Sequence, residues 1–321
     1  MFKLIDKDMS GEKRFIWSLT VSWLIVGALL LLAVQTGLGQ SSSGVYRAEE
    51  FNVSGNVSLE VRTSGGSIKA IGSNDDKVRV EMYVRKRGRY IEPGEADLSK
   101  YDIEISESGN TVKAVAERKG SWMNRDNYSI SFIVYTPNET RSRLRTSGGS
   151  VSASNLTGTQ ELRTSGGSVK VEGIDGDMVL RTSGGSIGIT DAQGSVEANT
   201  SGGTIRVKYL TGALEARTSG GSINLEQVAG NVDARTSGGS INAEIVSPAD
   251  KIELRTSGGS IRIRVPQENG YDLDLDANRV YVELINFNGR AEKDRIVGDF
   301  NGGGTKIEAK TSGGSVRIEY L

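Results

Sequence analysis

The densest positive charge in this 321-residue chain is Arg85, Lys86, Arg87 and Arg89, bracketed by Tyr83 and Tyr90. A second basic and aromatic stretch follows at Arg118, Lys119, Trp122 and Arg125. Guanidinium and ammonium groups beside aromatic rings suit an anionic polysaccharide or lipid headgroups. Arg85, Lys86, Arg87, Arg89 and Trp122 are therefore the candidate binding residues. The plainer alternative is a pair of exposed loops kept soluble by charge. One acidic group stands out as well: Asp272, Asp274 and Asp276 alternate with leucines, placing three carboxylates on one strand face about 7 Å apart. That spacing could serve acid/base glycoside chemistry or Ca²⁺, against the alternative of a solvated face.

What the chain lacks narrows the chemistry further. It has no histidine and no cysteine. The usual base for a serine nucleophile, thiolate catalysis and disulfides are therefore all excluded. A formal net charge of −1 argues against a nucleic-acid binder. The glycine-rich turns carry no G-K-[ST] and precede no helix, so they do not form a phosphate loop. They also lack the aspartates of calcium-binding glycine-rich repeats. No catalytic residue, metal ligand or cofactor site is assigned.

The elements that must position these residues are written in a repeat. T-S-G-G-S, once as T-S-G-G-T, begins at Thr63, Thr146, Thr164, Thr182, Thr200, Thr218, Thr236, Thr256 and Thr311. From Thr146 to Thr236 each copy starts 18 residues after the last, and the next step is 20. A fixed period of this size is the mark of one supersecondary unit stacked on itself. Counting from Thr218 as zero, apolar residues fall at −4, −2, +5, +7 and +10 (Leu214, Ala216, Ile223, Leu225 and Val228). Polar residues fall between them, so two short strands each present one apolar face. Position +5 is Ile or Val in every copy, as a half-buried pleated surface favours. A second glycine at +12, from Gly158 to Gly230, marks another turn.

Two geometries can use this unit. Gly-Gly can be a two-residue hairpin loop with positive φ, or a corner between coils lying parallel on one another. The solenoid is preferred, because a hairpin needs only the glycines whereas stacked coils also reward identical Thr and Ser at each corner. In that reading the threonines form one column at the ~4.8 Å inter-strand spacing, with hydroxyl ladders down the corner. Position −1 is arginine except at Asn199 and Lys310, and position −3 is acidic except at Arg143 and Val179. Rows of opposite charge on one face neutralise each other. The repeat face is then expected to attract anions less than the basic cluster does.

Residues 15–34 carry no charge and are long enough to span a bilayer, with Lys13 and Arg14 just before them. This predicts an N-terminal apolar helix that exports everything after it. Residues 1–39 are read as a signal peptide or signal anchor, with Gly37 and Gly39 suiting a cut before Gln40, and 40–44 as a short linker. Residues 45–321 form the repeat domain: irregular over 45–145, regular over 146–264, and degenerate coils with a C-terminal cap over 265–321. The intervals after Thr63 and Thr256 are expected to hold coils whose signatures are overwritten. Residues 85–89 and 118–125 are expected to project as loops.

The order of these features resembles a bacterial β-strand-repeat domain of unknown function labelled "putative adhesin". The resemblance rests on the leader, the lone early T-S-G-G-S and the I-x-F-x-V-x-x-P strand at Ile130 to Pro137. It continues through the tandem L-R-T-S-G-G-S copies, the N-G-G-G turn at Asn301 to Gly304 and the closing T-S-G-G-S-V-R-I. It covers about residues 45–321. It implies an all-β, solenoid-type fold in exported or membrane-attached envelope proteins, some linked to envelope-stress signalling, and supplies no catalytic residues. The combined expectation is an all-β, parallel β-solenoid (β-helix) of about 18-residue coils after the apolar helix. Its expected role is that of a non-enzymatic structural or adhesin-like module in the periplasm, at the cell surface or outside the cell. Expected partners are anionic envelope polysaccharide, lipid headgroups or an envelope protein. A carbohydrate-active β-helix enzyme and an envelope-stress scaffold or sensor are the alternatives.

Overall fold

The 18-residue period is the register of a parallel coil. The computed structural model describes residues 44–120 and 128–321, and Val45–Leu321 form one unit. The strands before successive corners pair in parallel, Gln160–Arg163 with Met178–Arg181 and on through Val196–Asn199 and Leu214–Arg217. The strands after the corners do the same, so that Val169, Ile187, Ile205 and Ile223 lie side by side. Each coil therefore contributes one strand to a first wall and one to a second wall, and the apolar positions of both meet between them. Leu214, Ala216, Ile223, Leu225 and Val228 are all buried, as the alternation requires. No strand pair folds back across Gly-Gly, so the hairpin geometry does not occur there.

The corners explain why the motif is five residues and not two. Each threonine is buried, and the Thr218 hydroxyl donates to the Gly203 carbonyl of the preceding coil at 2.9 Å. The same oxygen accepts the Gly221 N–H at 3.3 Å. At the fifth position, the Ser168 hydroxyl accepts the Ser186 N–H of the next coil, again at 3.3 Å. The expected ladders thus run from hydroxyl to backbone; a direct hydroxyl pair occurs between Ser315 and Ser260 at 3.4 Å. Each bond contributes only about 0.5–1.5 kcal/mol net, but leaving a buried partner unmade costs more. Neither glycine of the pair has positive φ. The second is needed because coils touch there: a Cβ on Gly185 would lie 2.1 Å from the Gly167 carbonyl oxygen. The +12 glycine is the left-handed one, with φ of 140° at Gly212.

A further bend was not legible in the pattern. At position +9 the backbone is left-handed in Asn155, Asp191, Tyr209 and Gln227, with φ between 50° and 56°. Gly173 holds the same place in its coil at 63°. The second-wall strand turns there, which skips one residue in the pairing between Glu172 and Ile174.

Each long interval holds one untagged coil, placed beyond an end of the tagged column and closed by capping strands. Thr63 pairs directly with Thr146 and Thr256 directly with Thr311, so all nine corners stand in one uninterrupted stack. The intervening chain folds outward past the two end coils. At the N-terminal end Thr111–Arg118 and Tyr128–Pro137 lie parallel on the Thr63 coil. Antiparallel strands then close it, Tyr101–Ser108 on one wall and Lys77–Lys86 with Arg47–Asn52 on the other. At the far end one untagged coil, Tyr271–Asp276 and Arg279–Tyr281, lies beyond the Thr311 coil. The antiparallel pair Arg295–Phe300 and Phe287–Ala291 follows it. The outermost strands are short or carry ion pairs such as Arg47–Glu49 and Arg290–Glu292, which blunts edge-to-edge association. Among the described residues no helix is long and apolar enough to cross a membrane, and the apolar segment 15–34 lies outside them.

Candidate functional site: the basic cap hairpin and the charged wall

The basic cluster sits on the N-terminal cap, at the corner side of the coil. In Lys77–Lys86, Val78, Val80, Met82 and Val84 are buried, which turns Arg79, Glu81, Tyr83 and Arg85 to the outer face. Arg87 and Gly88 then adopt φ of 52° and 84° and reverse the chain, so that Arg85 pairs with Tyr90 and Lys86 with Arg89. Two successive left-handed residues make a tight hairpin of the primed type, a more ordered element than the expected loop. The Arg85 guanidinium stacks 4.1 Å from the centre of the Tyr90 ring, and Tyr83 lies 6.0 Å from Tyr90. On the neighbouring strand, the Lys86 ammonium is 5.2 Å from the Tyr128 ring. Tyr101 pins that strand: its hydroxyl donates to the Tyr128 carbonyl and accepts the Tyr128 N–H, both at 3.0 Å.

Arg85, Lys86, Arg87 and Arg89 are thus held together on one rigid hairpin. Lys119 is occupied by Asp102 at 3.0 Å. Trp122 and Arg125 lie outside the described residues. Glu92, Glu95 and Asp97 follow on the exposed connection after the hairpin, so acids stand closer in sequence to the cluster than its composition suggested.

Two of the three aspartates on the face are neutralised by cations. Asp274 lies 2.9 Å from the Lys310 ammonium and 3.5 Å from Arg295, and Asp276 lies 3.1 Å from Arg295. Asp272 accepts the Gly304 N–H at 3.4 Å. Its geometry is that of a structural ion-pair network on the C-terminal cap.

On the first wall the charges form an inter-coil zipper. The arginine at −1 reaches the carboxylate at −3 of the next coil: Arg181 to Glu197, Arg235 to Glu253 and Arg255 to Glu308, each at 2.6 Å. An open groove of about 600 Å³ runs over these carboxylates, from Asp177 to Glu253. A glycosidase acid needs a raised pKa. Here Lys251, Arg235 and Arg255 outweigh burial and hold the Glu253 carboxyl below its usual range. Hydrogen bonds from Lys310 and Arg255 pull Glu308 down to about 2.

A group with a depressed folded pKa adds stability above its unfolded pKa and loses it as pH falls through the folded value. Melting temperature should therefore stay level from neutral pH to about 5 and drop as pH passes from the ordinary 4.5 toward 2. Glu308→Gln should flatten that drop. An acid limb identical in wild type and variant would refute the assignment.

The zipper has one defect, present in the sequence pattern. Arg143 and Val179 stand where carboxylates would complete it, leaving Arg145, Arg143 and Arg163 to share Glu161.

Residues 58–319 match the family described as Toastrack DUF4097. The chain belongs to the Toastrack DUF4097 family. Solved structures similar to this Toastrack chain include a "putative cell adhesion protein" from Clostridium sporogenes, 10% identical over 86% of this chain and 99% of that one, with a TM-score of 0.20. A "putative adhesin" from Bacteroides fragilis is 13% identical over 85% and 96%, with a TM-score of 0.32. A "putative lipid binding protein" from Parabacteroides distasonis is 14% identical over 85% and 96%, with a TM-score of 0.36. Similarity at this level says nothing of function. No curated protein sequence matches the chain.

Proposed function

We propose that this Toastrack chain is an exported, non-enzymatic structural or adhesin-like interaction module of the bacterial cell envelope. The observation that carries the reading is the uninterrupted stack of nine corners capped at both ends, with wall carboxylates such as Glu253 and Glu308 committed to ion pairs. Such a stack is a stiff presenter of surface, and its ion-paired acids, held ionised, are poorly suited to donate a proton. In this reading residues 1–39 direct export, 40–44 link, and 45–321 form the rod, which stays at the membrane if 15–34 is retained.

Function tends to sit on elements held by a rigid scaffold, and the cap hairpin is the most cationic of these. Its partner is an anionic envelope polymer or headgroup, met by Arg85, Lys86, Arg87, Arg89 and Trp122. Retention of the full chain on immobilised anionic glycans and lipids is expected, weakening as salt shortens the Debye length below about 8 Å. Replacing the four hairpin cations by Ser should abolish retention with little change in melting temperature, since exposed charges add little to folding. Undiminished retention in that variant removes the cap hairpin as the site. Recovery of the chain from cytoplasm alone, in cell fractionation, overturns the envelope reading itself.

A further inference from the structure

The defect in the zipper is a site. We infer that the corner edge formed by Arg143, Arg145, Arg163 and Arg181 binds an extended carboxylate-bearing polysaccharide, a polyuronate, laid along the coil axis. The inference rests on the reading of the chain as an interaction module and gives that module a second, independent surface.

Three outward arginines follow one another on Thr140–Thr146, at positions −5, −3 and −1 of that coil. Coils farther along have at most one cation among these places that lacks a neighbouring acid. Arg141 makes no ion pair with any described residue. Arg143 reaches Glu161 at 3.0 Å, Arg145 reaches it at 2.6 Å and Arg163 at 2.8 Å. Burial works against the charge on Glu161, and the hydrogen bonds from Arg145 and Arg143 with the Arg163 charge outweigh it. That carboxylate is already saturated. In the next coil Val179 offers nothing, and Arg181 goes on to Glu197. Four guanidiniums at the corner thus share two carboxylates, Glu161 and Glu197; Glu60, across from Arg143, is taken by Arg62 at 3.3 Å, and Arg141 and Asp177 both stand at the far end of their strands.

The excess charge has a shape to work in. A groove of about 490 Å³ crosses four successive corners, lined by Arg145, Arg163, Arg181 and the exposed serines Ser165 and Ser183. It contains no carboxylate and no apolar or aromatic side chain. A membrane would find nothing to insert beside its headgroups, and nucleic-acid bases would find nothing to stack on. A point anion would leave most of its length empty. A linear glycan matches it, because one sugar of an extended chain is close in length to one coil rise of about 4.8 Å. Guanidinium forks suit carboxylates in bidentate fashion, and serine hydroxyls can exchange hydrogen bonds with sugar hydroxyls. Affinity comes from repetition of weak contacts, so it grows with polymer length.

The test uses the full chain and polygalacturonate, with a neutral glycan as control, read by titration calorimetry. The variant Arg145→Gln, Arg163→Gln, Arg181→Gln, which removes the groove's three arginines, should weaken binding roughly tenfold or more and shallow its salt dependence. The variant Arg217→Gln, Arg235→Gln removes the same residue type from the same position where carboxylates match it, and should change affinity less than about twofold. Melting curves check that all are folded. Equal losses in the two variants, or no loss in the first, overturn the inference. If only the hairpin-to-serine variant loses binding, the corner is dismissed and the cap-site reading stands. If the wild type binds lipid or other anionic glycans but no polyuronate, this inference fails alone.

Discussion

Gly185→Ala should unfold the coil that carries it, while Gly184→Ala one residue earlier should leave the protein almost unchanged. The two glycines look equivalent in sequence and neither has positive φ. Their surroundings differ. A Cβ on Gly185 would stand 2.1 Å from the Gly167 carbonyl oxygen and 2.4 Å from its carbon. Both are backbone atoms of the preceding coil, and Gly167 is itself pressed against Gly149 in the same way. The stack has nowhere to relax, so the cost should reach at least about 3 kcal/mol, the upper range of overpacking. At Gly184 the nearest heavy atoms are 3.6 Å away, an ordinary contact. There the change should stay within about 1 kcal/mol, and the loss of unfolded-state freedom favours alanine. Denaturant titration of both variants decides the point. Similar midpoints would mean that the coils do not approach one another as closely as described.

Ile205→Asp should be the most damaging single change in the regular coils. Ile205 is 0% exposed and lies between Ile187 and Ile223 in the second-wall column. No cation faces inward there, so the carboxylate would be buried without a partner, at a cost above about 4 kcal/mol. Because each coil gains only by covering its neighbours, hydrogen-exchange protection should collapse first in the adjoining strands. Arg217→Ala is the matched control. Its side chain is 44% exposed and its partners are Glu215 and Asp233, so the loss should stay well under about 1 kcal/mol. Comparable melting losses for the two changes would show the inward and outward phases to be misassigned.

Much of this was readable in advance because a parallel stack repeats its own environment. When position i always meets position i+18, the same steric and hydrogen-bonding demand recurs every coil, and residue identity records it. The buried column at +5, the outward Arg and acid rows and the need for Thr as well as Gly at the corner all follow from that recurrence. The +9 bend left no such record. Gly173, Asn155 and Asp191 are types that tolerate a left-handed backbone, but Tyr209 and Gln227 at the same position are not, so the column shows no consistent residue type. Exposed positions of this kind tolerate different side chains, so conformation there outruns composition.

The chain's periodicity and alternation were enough to establish an all-β coil, its register and its core, since those depend on contacts that recur at a fixed separation. Where the long intervals go was decided by tertiary structure alone. Thr63 meets Thr146, and Thr256 meets Thr311, only because the intervening strands fold outward and cap the open hydrogen-bonding ends. The candidate surfaces divide in the same way. The cationic hairpin was visible as a cluster of like residues, but its Arg87–Gly88 turn and its seat on Tyr128 were not. The uncompensated corner was present as two departures, Arg143 and Val179, yet its meaning depends on direction. Arg145, Arg181, Arg235 and Arg255 reach the carboxylate of the following coil, and only a folded stack says which coil follows which.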